Sequence, residues 1–393
     1  MSDVYVIEGA RTAFTSFGGS FASVLAADLG AATAREALRR AKIAATDVDH
    51  VIYGNVIHTS TNASYLARHI GLKAAVPYEV PAYTVNRLCG SGAQAIVSAA
   101  QHILLGEAQI ILAGGAENMS MSPYANFTAR FGGSEFGSLV LDDMLKCTLT
   151  DEYAGSGMGM TAEKLASIYS ISREEQDSFA LLSQKRAVKA RDTGVFAKEI
   201  VPVEVPHRKG NMSVSVDEHI KGDVTPEKMA SLTPSFKKDG TVTPGNASGI
   251  NDGAASVIVA SKRAVEERGL YPLARIVSWG VAGVDPSIMG IGPVPAIHQA
   301  LEKAGLTIAE MDVVEVNEAF AAQYLSVEKE LGLDRDKTNV HGGAIALGHP
   351  VGASGARILL LLTYELKRRG GRFGIASLCI GGGQGIAVVL ENV

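Results

Sequence analysis

What this chain has little of narrows it first. Its three cysteines, Cys89, Cys147 and Cys379, are widely spaced and form no Cys-x-x-Cys pair. Neither a disulfide framework nor a structural zinc site is indicated, and a reducing compartment fits. Charge of one sign is not in excess either. Lys and Arg number 36 against 41 Asp and Glu, and a net charge of -5 gives no reason to expect nucleic acid or an anionic membrane as partner. No apolar run approaches the roughly 20 residues of a membrane helix, so membrane insertion is not expected. The N-terminus, Met1 to Glu8, runs straight into a strand-like stretch without the regions of a signal peptide, and Glu391-Asn392-Val393 is no peroxisomal tripeptide. The expected location is therefore cytoplasmic.

What is present supports a large buried interior. A length of 393 residues allows two or three domain-sized units. The 43 glycines point to tight turns and close backbone approaches. Strand-like runs at Asp49–Asn55, Ala82–Val85 and Gln109–Gly115 alternate with helical stretches at Asp28–Ile43, Tyr65–Gly71 and Ala93–Leu105, the first opened by Asp28 as cap. That alternation means an α/β fold. Between about Glu117 and Ser248 the pattern changes to an inserted, lid-like segment with one strong helix opened by the capping box Ser172-Arg173-Glu174-Glu175. Lys185, Arg186, Lys189, Arg191, Arg208, Lys209, Lys221, Lys228, Lys237 and Lys238 make it the best local place for a phosphate-bearing ligand. Beyond Gly249 the alternation returns as an echo of the first part: Val313–Asn317 answers Val51–Asn55, and Phe373–Ser377 answers Ile110–Gly114. Two similar halves would place equivalent loops around one cleft.

Chemistry concentrates in glycine-bearing loops. Cys89, in Asn86-Arg87-Leu88-Cys89-Gly90-Ser91-Gly92, falls between a strand and a helix, where free N–H groups and the helix dipole favour a thiolate. It is a candidate nucleophile, although the position also suits a small buried residue in a turn. His349, between Gly348 and Pro350 and just ahead of a helix, is a candidate base for a thiol. His341 in the same loop competes with it. Asn317 stands at a strand end, where its amide can hold a water or a carbonyl oxygen. Cys379 opens the loop Cys379-Ile380-Gly381-Gly382-Gly383-Gln384-Gly385, a second thiol beside free backbone N–H groups. The glycine runs satisfy loose dinucleotide patterns but lack the strand context and the following acidic residue. Two thiols, an imidazole and oxyanion donors suit acyl transfer joined to carbon–carbon bond making or breaking, since a carbanion next to a thioester needs its own base.

These motifs, with Asn317-Glu318-Ala319-Phe320, Gly342 to Gly352 and Thr243 to Gly253, resemble the signatures of the thiolase family in the family's order and across essentially the whole chain. The resemblance implies the five-layered αβαβα thiolase fold, an α/β architecture of two related halves with the lid inserted in the first. The corresponding boundaries are 1–118 for the N-terminal half, 119–248 for the insert, 249–272 for the return to that half and 273–393 for the C-terminal half. It implies that Cys89 carries the acyl group, that His349 activates it, and that Cys379 is the acid/base for the alpha carbon. His349 and a water on Asn317 would stabilise an enolate, and the N–H groups of Cys89 and Gly381 a tetrahedral oxyanion. Acyl-CoA and coenzyme A are the implied partners, contacted by Ser248, Phe236, Met158 and Lys221. No metal or redox cofactor is implied, and the assembly would be a homodimer or a dimer of dimers.

Short-chain biosynthetic thiolases have an Arg where this chain has Lys221 and a His where it has Gly157, and Lys cannot stack a planar fork on adenine. These departures lean towards degradative cleavage of 3-oxoacyl-CoA, with condensation of two acetyl-CoA as the alternative. A decarboxylating ketoacyl synthase would carry a second histidine where Cys379 stands. A non-catalytic acyl-CoA or lipid-binding protein would have lost one of the reactive groups. Cys147, left over in the insert, is expected to be a buried or half-buried structural thiol.

Overall fold

A computed structural model describes residues 3–132, 136–207 and 210–393. Arg208 and Lys209, named above among the basic residues, lie outside the described residues. Apolar runs bounded by turns become strands, and amphipathic runs between them become helices. The first part is β1 (Val4–Arg11), α1 (Ala26–Ala41), β2 (His50–Gly54), α2 (Leu66–Lys73), β3 (Ala82–Val85), α3 (Ser91–Leu104) and β4 (Ile110–Asn118). The insert contributes α4 (Met158–Ile168), α5 (Arg173–Asp192) and a hairpin of Val203–His207 with Gly210–Val214. The remainder is β5 (Asn251–Ser261), β6 (Ala274–Gly283), α6 (Pro293–Ala304), β7 (Val313–Val316), α7 (Ala321–Leu331), α8 (Val351–Arg369), β8 (Phe373–Ile380) and β9 (Gln384–Asn392).

Hydrogen bonding runs β7-β8-β9-β6-β1-β5-β4-β2-β3, with Thr15–Ser16 added on β5. The contact between β6 and β1 is a seam of only two residue pairs, Tyr5 with Arg275 and Val6 with Ala274. Each side of it has the same plan, antiparallel strands next to the seam and parallel ones outside, β2 with β3 and β4, and β7 with β8. One apolar core joins Ile96 and Val97 of α3, Leu359 and Leu362 of α8, Ile111 and Val257 from one side, and Leu378 and Val388 from the other. Helices α3 and α8 therefore lie between two sheet layers. A second core packs Leu29 and Leu38 of α1 on Leu112 and Ile258, and a third packs Ile297 of α6 and Leu325 of α7 on Val314 and Val389. The result is five layers, αβαβα.

The middle layer explains a feature of the sequence. From Val351 to Thr363 every residue of α8 is buried, so this helix is covered on all sides instead of having one solvent face. Each fully buried Leu there contributes about 1.5–3 kcal/mol. Glycine lets the two central helices touch: a Cβ at Gly92 would stand 2.6 Å from the Ala356 nitrogen, and one at Gly355 2.3 Å from that of Ala93. This contact brings the N-terminal ends of α3 and α8, with the loops preceding them, to one place.

Two local expectations are corrected. Asp28 does not cap α1; the helix starts two residues earlier behind Leu25, and the Asp28 carboxylate instead pairs with Lys73 across to α2 at 2.5 Å. Cys147 is exposed, because its short helix, Met144–Thr148, turns Leu145 inward and leaves the thiol on the outside. The capping box on α5 forms as read, with Ser172 Oγ accepting from Glu175 N and the Glu175 carboxylate accepting from Ser172 N.

Candidate active site

Cys89 sits in a turn stapled by its neighbours. Asn86 Oδ1 accepts from Leu88 N at 2.9 Å, while Ser91 Oγ accepts from Arg87 N at 2.8 Å and donates to the Leu88 carbonyl at 2.6 Å. These bonds hold Leu88 at φ 45°, a left-handed conformation that costs a branched residue about 1–3 kcal/mol. Helix α3 begins only at Ser91, so the sulfur stands ahead of its first turn. The thiolate expected from that helix end is not favoured. Burial pushes the Cys89 thiol up to about 11, outweighing the N–H groups of Gly381 and of Cys89 itself, which favour the anion.

His349 is fixed from three directions. Its backbone N–H donates to Asn251 Oδ1 at 2.9 Å, Nδ1 lies 2.6 Å from Ser354 Oγ, and Nε2 lies 3.5 Å from Asn317 Nδ2. Gly348, at φ 96°, is packed so tightly that a Cβ would stand 2.4 Å from the Asn251 side chain. Burial, helped by the charge of Arg357, holds the imidazole down at about 3, so it rests neutral. His341 goes elsewhere, to Glu365 at 2.7 Å and to Arg368. Asn317 is buried and its Oδ1 has no protein partner, an orphan that suits a water.

Cys379 is fully buried near the end of β8, beside Met289 and Ala319. The turn after it is made by Gly382 and Gly383, at φ 77° and 79°, and leads directly into β9. Burial and the neighbouring Cys89 push its thiol well above the ordinary range. The two thiols are therefore neighbours, brought together from opposite halves. Cys89 and Gly381 line a narrow apolar cleft with Leu88, Val351, Met158, Leu149, Thr148 and Val56.

The outer residues are less uniform. Met158 lies in the cleft, and its sulfur would be 3.4 Å from a Cβ at Gly381. Ser248 is half-buried, its N–H bonded to the Ala319 carbonyl at 2.9 Å, and Phe236 meets Phe320 edge to face at 6.2 Å. The Lys221 side chain is exposed. Of the other basic residues, Arg186 is occupied by the carbonyls of Thr338 and Arg335, and Lys228 by Asp223. Among the described residues no group of three or more His, Cys, Asp or Glu is arranged to hold a metal ion, and no helix is long and apolar enough to cross a membrane.

Sequence reasoning missed three supporting residues. Glu117, fully buried, accepts from Asn55 Nδ2 and from the backbone of Val56, Ile57 and Gly352 at 2.9–3.2 Å, tying the loop after β2 to the first turn of α8. Burial pushes it up to about 8 despite those donors. Asn251 and Ser354 hold His349. Ser354 lies just beyond the Gly342-to-Gly352 motif, and its place one helical turn past Pro350 was the available signal; for Glu117 and Asn251 the partners are too distant in sequence to be read.

Known proteins match this chain from end to end. A human mitochondrial 3-ketoacyl-CoA thiolase is 53% identical over 389 residues, 99% of this chain and 98% of that protein. An acetyl-CoA acetyltransferase of Shinella zoogloeoides is 50% identical over 389 residues, again 99% of this chain and 98% of the relative. The crystal structure of the human mitochondrial 3-ketoacyl-CoA thiolase in complex with CoA superposes with a TM-score of 0.96 at 52% identity, covering 100% of this chain and 98% of that one. The cytoplasmic location expected from the sequence is corrected by this comparison, because relatives alike over nearly their whole length are named as mitochondrial enzymes. The folded body carries no compartment signal that composition can read. The family models for the thiolase N-terminal and C-terminal domains match residues 4–263 and 270–392. With that coverage, the chain belongs to the thiolase family.

Proposed function

We propose that the protein is a 3-oxoacyl-CoA thiolase, an acyltransferase that cleaves 3-oxoacyl-CoA with coenzyme A to acetyl-CoA and a shortened acyl-CoA. The observation that carries this reading is the pairing of two thiols, Cys89 and Cys379, from opposite halves, with Val351, two residues after His349, lining the same cleft as Cys89. One thiol suffices for acyl transfer; the second is what carbon–carbon cleavage requires.

Cys89 gives its proton to His349 and attacks the 3-oxo carbon. The oxyanion that forms is stabilised by the N–H groups of Cys89 and Gly381, both of which already favour negative charge at this place. Collapse of the oxyanion breaks the bond to the alpha carbon. Acetyl-CoA leaves as its enolate, held by His349 Nε2–H and a water on Asn317, and takes a proton from Cys379. The acyl group, now a thioester on Cys89, passes to the thiol of a second coenzyme A, whose proton restores Cys379, while His349 returns its proton to the Cys89 sulfur that is released. Every bond and proton is assigned to side chains, backbone or substrate, so the proposed reaction calls on no metal and no redox cofactor.

Ser248, Phe236 and Met158 would contact the pantetheine arm, and the exposed Lys221, with Lys237 and Lys238 beside Phe236, would meet the nucleotide phosphates. A homo-oligomer, dimer or tetramer, is proposed as well: β3 ends the sheet, and Tyr124, Phe127, Phe131 and Val140 of the insert are exposed apolar side chains. Sedimentation as a monomer at micromolar concentration would remove that part.

The second reading, condensation of two acetyl-CoA, draws on the acetyltransferase relative at 50% identity. The test is the ratio of thiolysis rates for acetoacetyl-CoA and an eight-carbon or longer 3-oxoacyl-CoA at fixed coenzyme A. Preference for the longer chain is the expected outcome. Activity confined to acetoacetyl-CoA would favour the second reading and overturn the lean drawn from Gly157 and Lys221.

A further inference from the structure

The imidazole of His349 has two ring nitrogens, and the proposed steps use only Nε2, the one next to Asn317. The other, Nδ1, is buried, and its partner at 2.6 Å is the hydroxyl of Ser354, itself fully buried on the first turn of α8. That hydroxyl is also 3.0 Å from the Pro350 carbonyl. A hydroxyl has one hydrogen and two acceptor positions, and a carbonyl only accepts. With the hydrogen on Pro350 O, the Ser354 oxygen is left to accept, and Nδ1 must carry hydrogen.

We propose that Ser354 is a positioning residue for the reaction: by accepting from Nδ1–H it leaves Nε2 of His349 without hydrogen on the Asn317 side of the ring, in the tautomer that can take the Cys89 proton. The inference rests on the reading of His349 as the base for Cys89. Proton transfer then moves one hydrogen from Cys89 Sγ to Nε2, giving thiolate and imidazolium, while Nδ1–H keeps the same acceptor throughout. The Pro350 carbonyl also receives the N–H groups of Ala353 and Ser354, at 2.9 and 3.0 Å, so its position does not depend on the hydroxyl. Without the hydroxyl, a hydrogen on Nδ1 would be buried and unpaired, and the ring would move it to Nε2, where it can no longer accept. The groups that meet His349 from the other elements, Asn317 at the ring and Asn251 at the backbone N–H, are uncharged; Arg357, one turn further along α8, is the charge His349 feels. It disfavours the imidazolium in either tautomer, so it does not select between them.

The experiment compares Ser354→Ala, Ser354→Thr and His349→Ala with the parent enzyme, following acyl-enzyme formation on Cys89 from acetoacetyl-CoA by rapid-quench mass spectrometry. Acylation by Ser354→Ala should fall about 100-fold with KM changed less than about twofold, as expected for a lost proton acceptor and not for a disturbed binding site. Ser354→Thr, which keeps the hydroxyl, should recover to within about tenfold of the parent. Acylation by Ser354→Ala within about threefold of the parent would overturn the proposal. Undiminished acylation by His349→Ala would instead sink the reading of His349 as base, which separates the two failures. Should Ser354→Ala not fold, NMR of isotope-labelled histidine in the parent enzyme decides: hydrogen on Nδ1 is expected, and hydrogen on Nε2 in the resting enzyme overturns the assignment.

Discussion

The two cysteine turns face each other across the halves and are built in opposite ways. The Cys89 turn runs from strand to helix, is held by the side chains of Asn86 and Ser91, and leaves its thiol half-buried at the cleft wall. The Cys379 turn runs from strand to strand, is made by two glycines at positive φ, and has its thiol sealed completely. A thiol that bonds to the substrate needs an approach path and nearby N–H groups for the charge it creates. A thiol that only passes a proton needs neither, and gains from a dry surrounding that keeps it protonated until a carbanion forms. The difference in burial is thus the difference in proposed work.

The hardest test of that contrast is to remove each thiol in turn. Cys89→Ser substitutes a far weaker nucleophile with the same shape, and acyl-enzyme should vanish, with turnover down about 10⁴-fold or more. An acyl mass increase of undiminished size in this variant would place the acyl group on another residue. Cys379→Ala leaves the nucleophile intact, so it should still acylate from a simple acyl-CoA. Its thiolysis and condensation, which need a proton at the alpha carbon, should fall about 10²- to 10⁴-fold. Equal losses of acylation and cleavage in this variant would erase the division of labour, because both thiols would then serve one step.

How much of this could be read from the chain depends on how local each cause is. Strands such as Ile110–Asn118 and the capping box at Ser172 were legible because their determinants lie within a few residues. The candidate site residues stood out because Cys89, His349 and Cys379 each sit in a glycine-bearing motif and Asn317 at a strand end. What was not legible is set by contacts across the fold. Asp28 lost its capping role to Lys73, 45 positions away. Gly352 is tied to Glu117, 235 positions away, and the resting state of Cys89 depends on Gly381 from the other half. A helix end beside a cysteine predicts a thiolate only if the site is open to water, and here burial prevails. Cys147 fails the other way: its place in the insert says little about which side of a one-turn helix faces out.

The contrast can be sharpened without mutation, through the resting protonation of Cys89. With the thiol pushed up to about 11 and the His349 imidazole held down at about 3, the proton stays on sulfur in the resting enzyme, and no thiolate–imidazolium pair is stored. Only the thiolate reacts with iodoacetamide, so alkylation of Cys89 should rise about tenfold per pH unit above neutrality and level off near the thiol's own titration. A stored ion pair would behave otherwise, with fast alkylation already at pH 6 and little change up to pH 8, at about the range of ordinary imidazole titration. Peptide mapping after brief labelling reads the two cysteines separately. Cys379, more deeply buried and shifted further in the same direction, should lag behind Cys89 at every pH, and the ratio of the two rates measures how much the sealed turn adds to the chemistry that both thiols share.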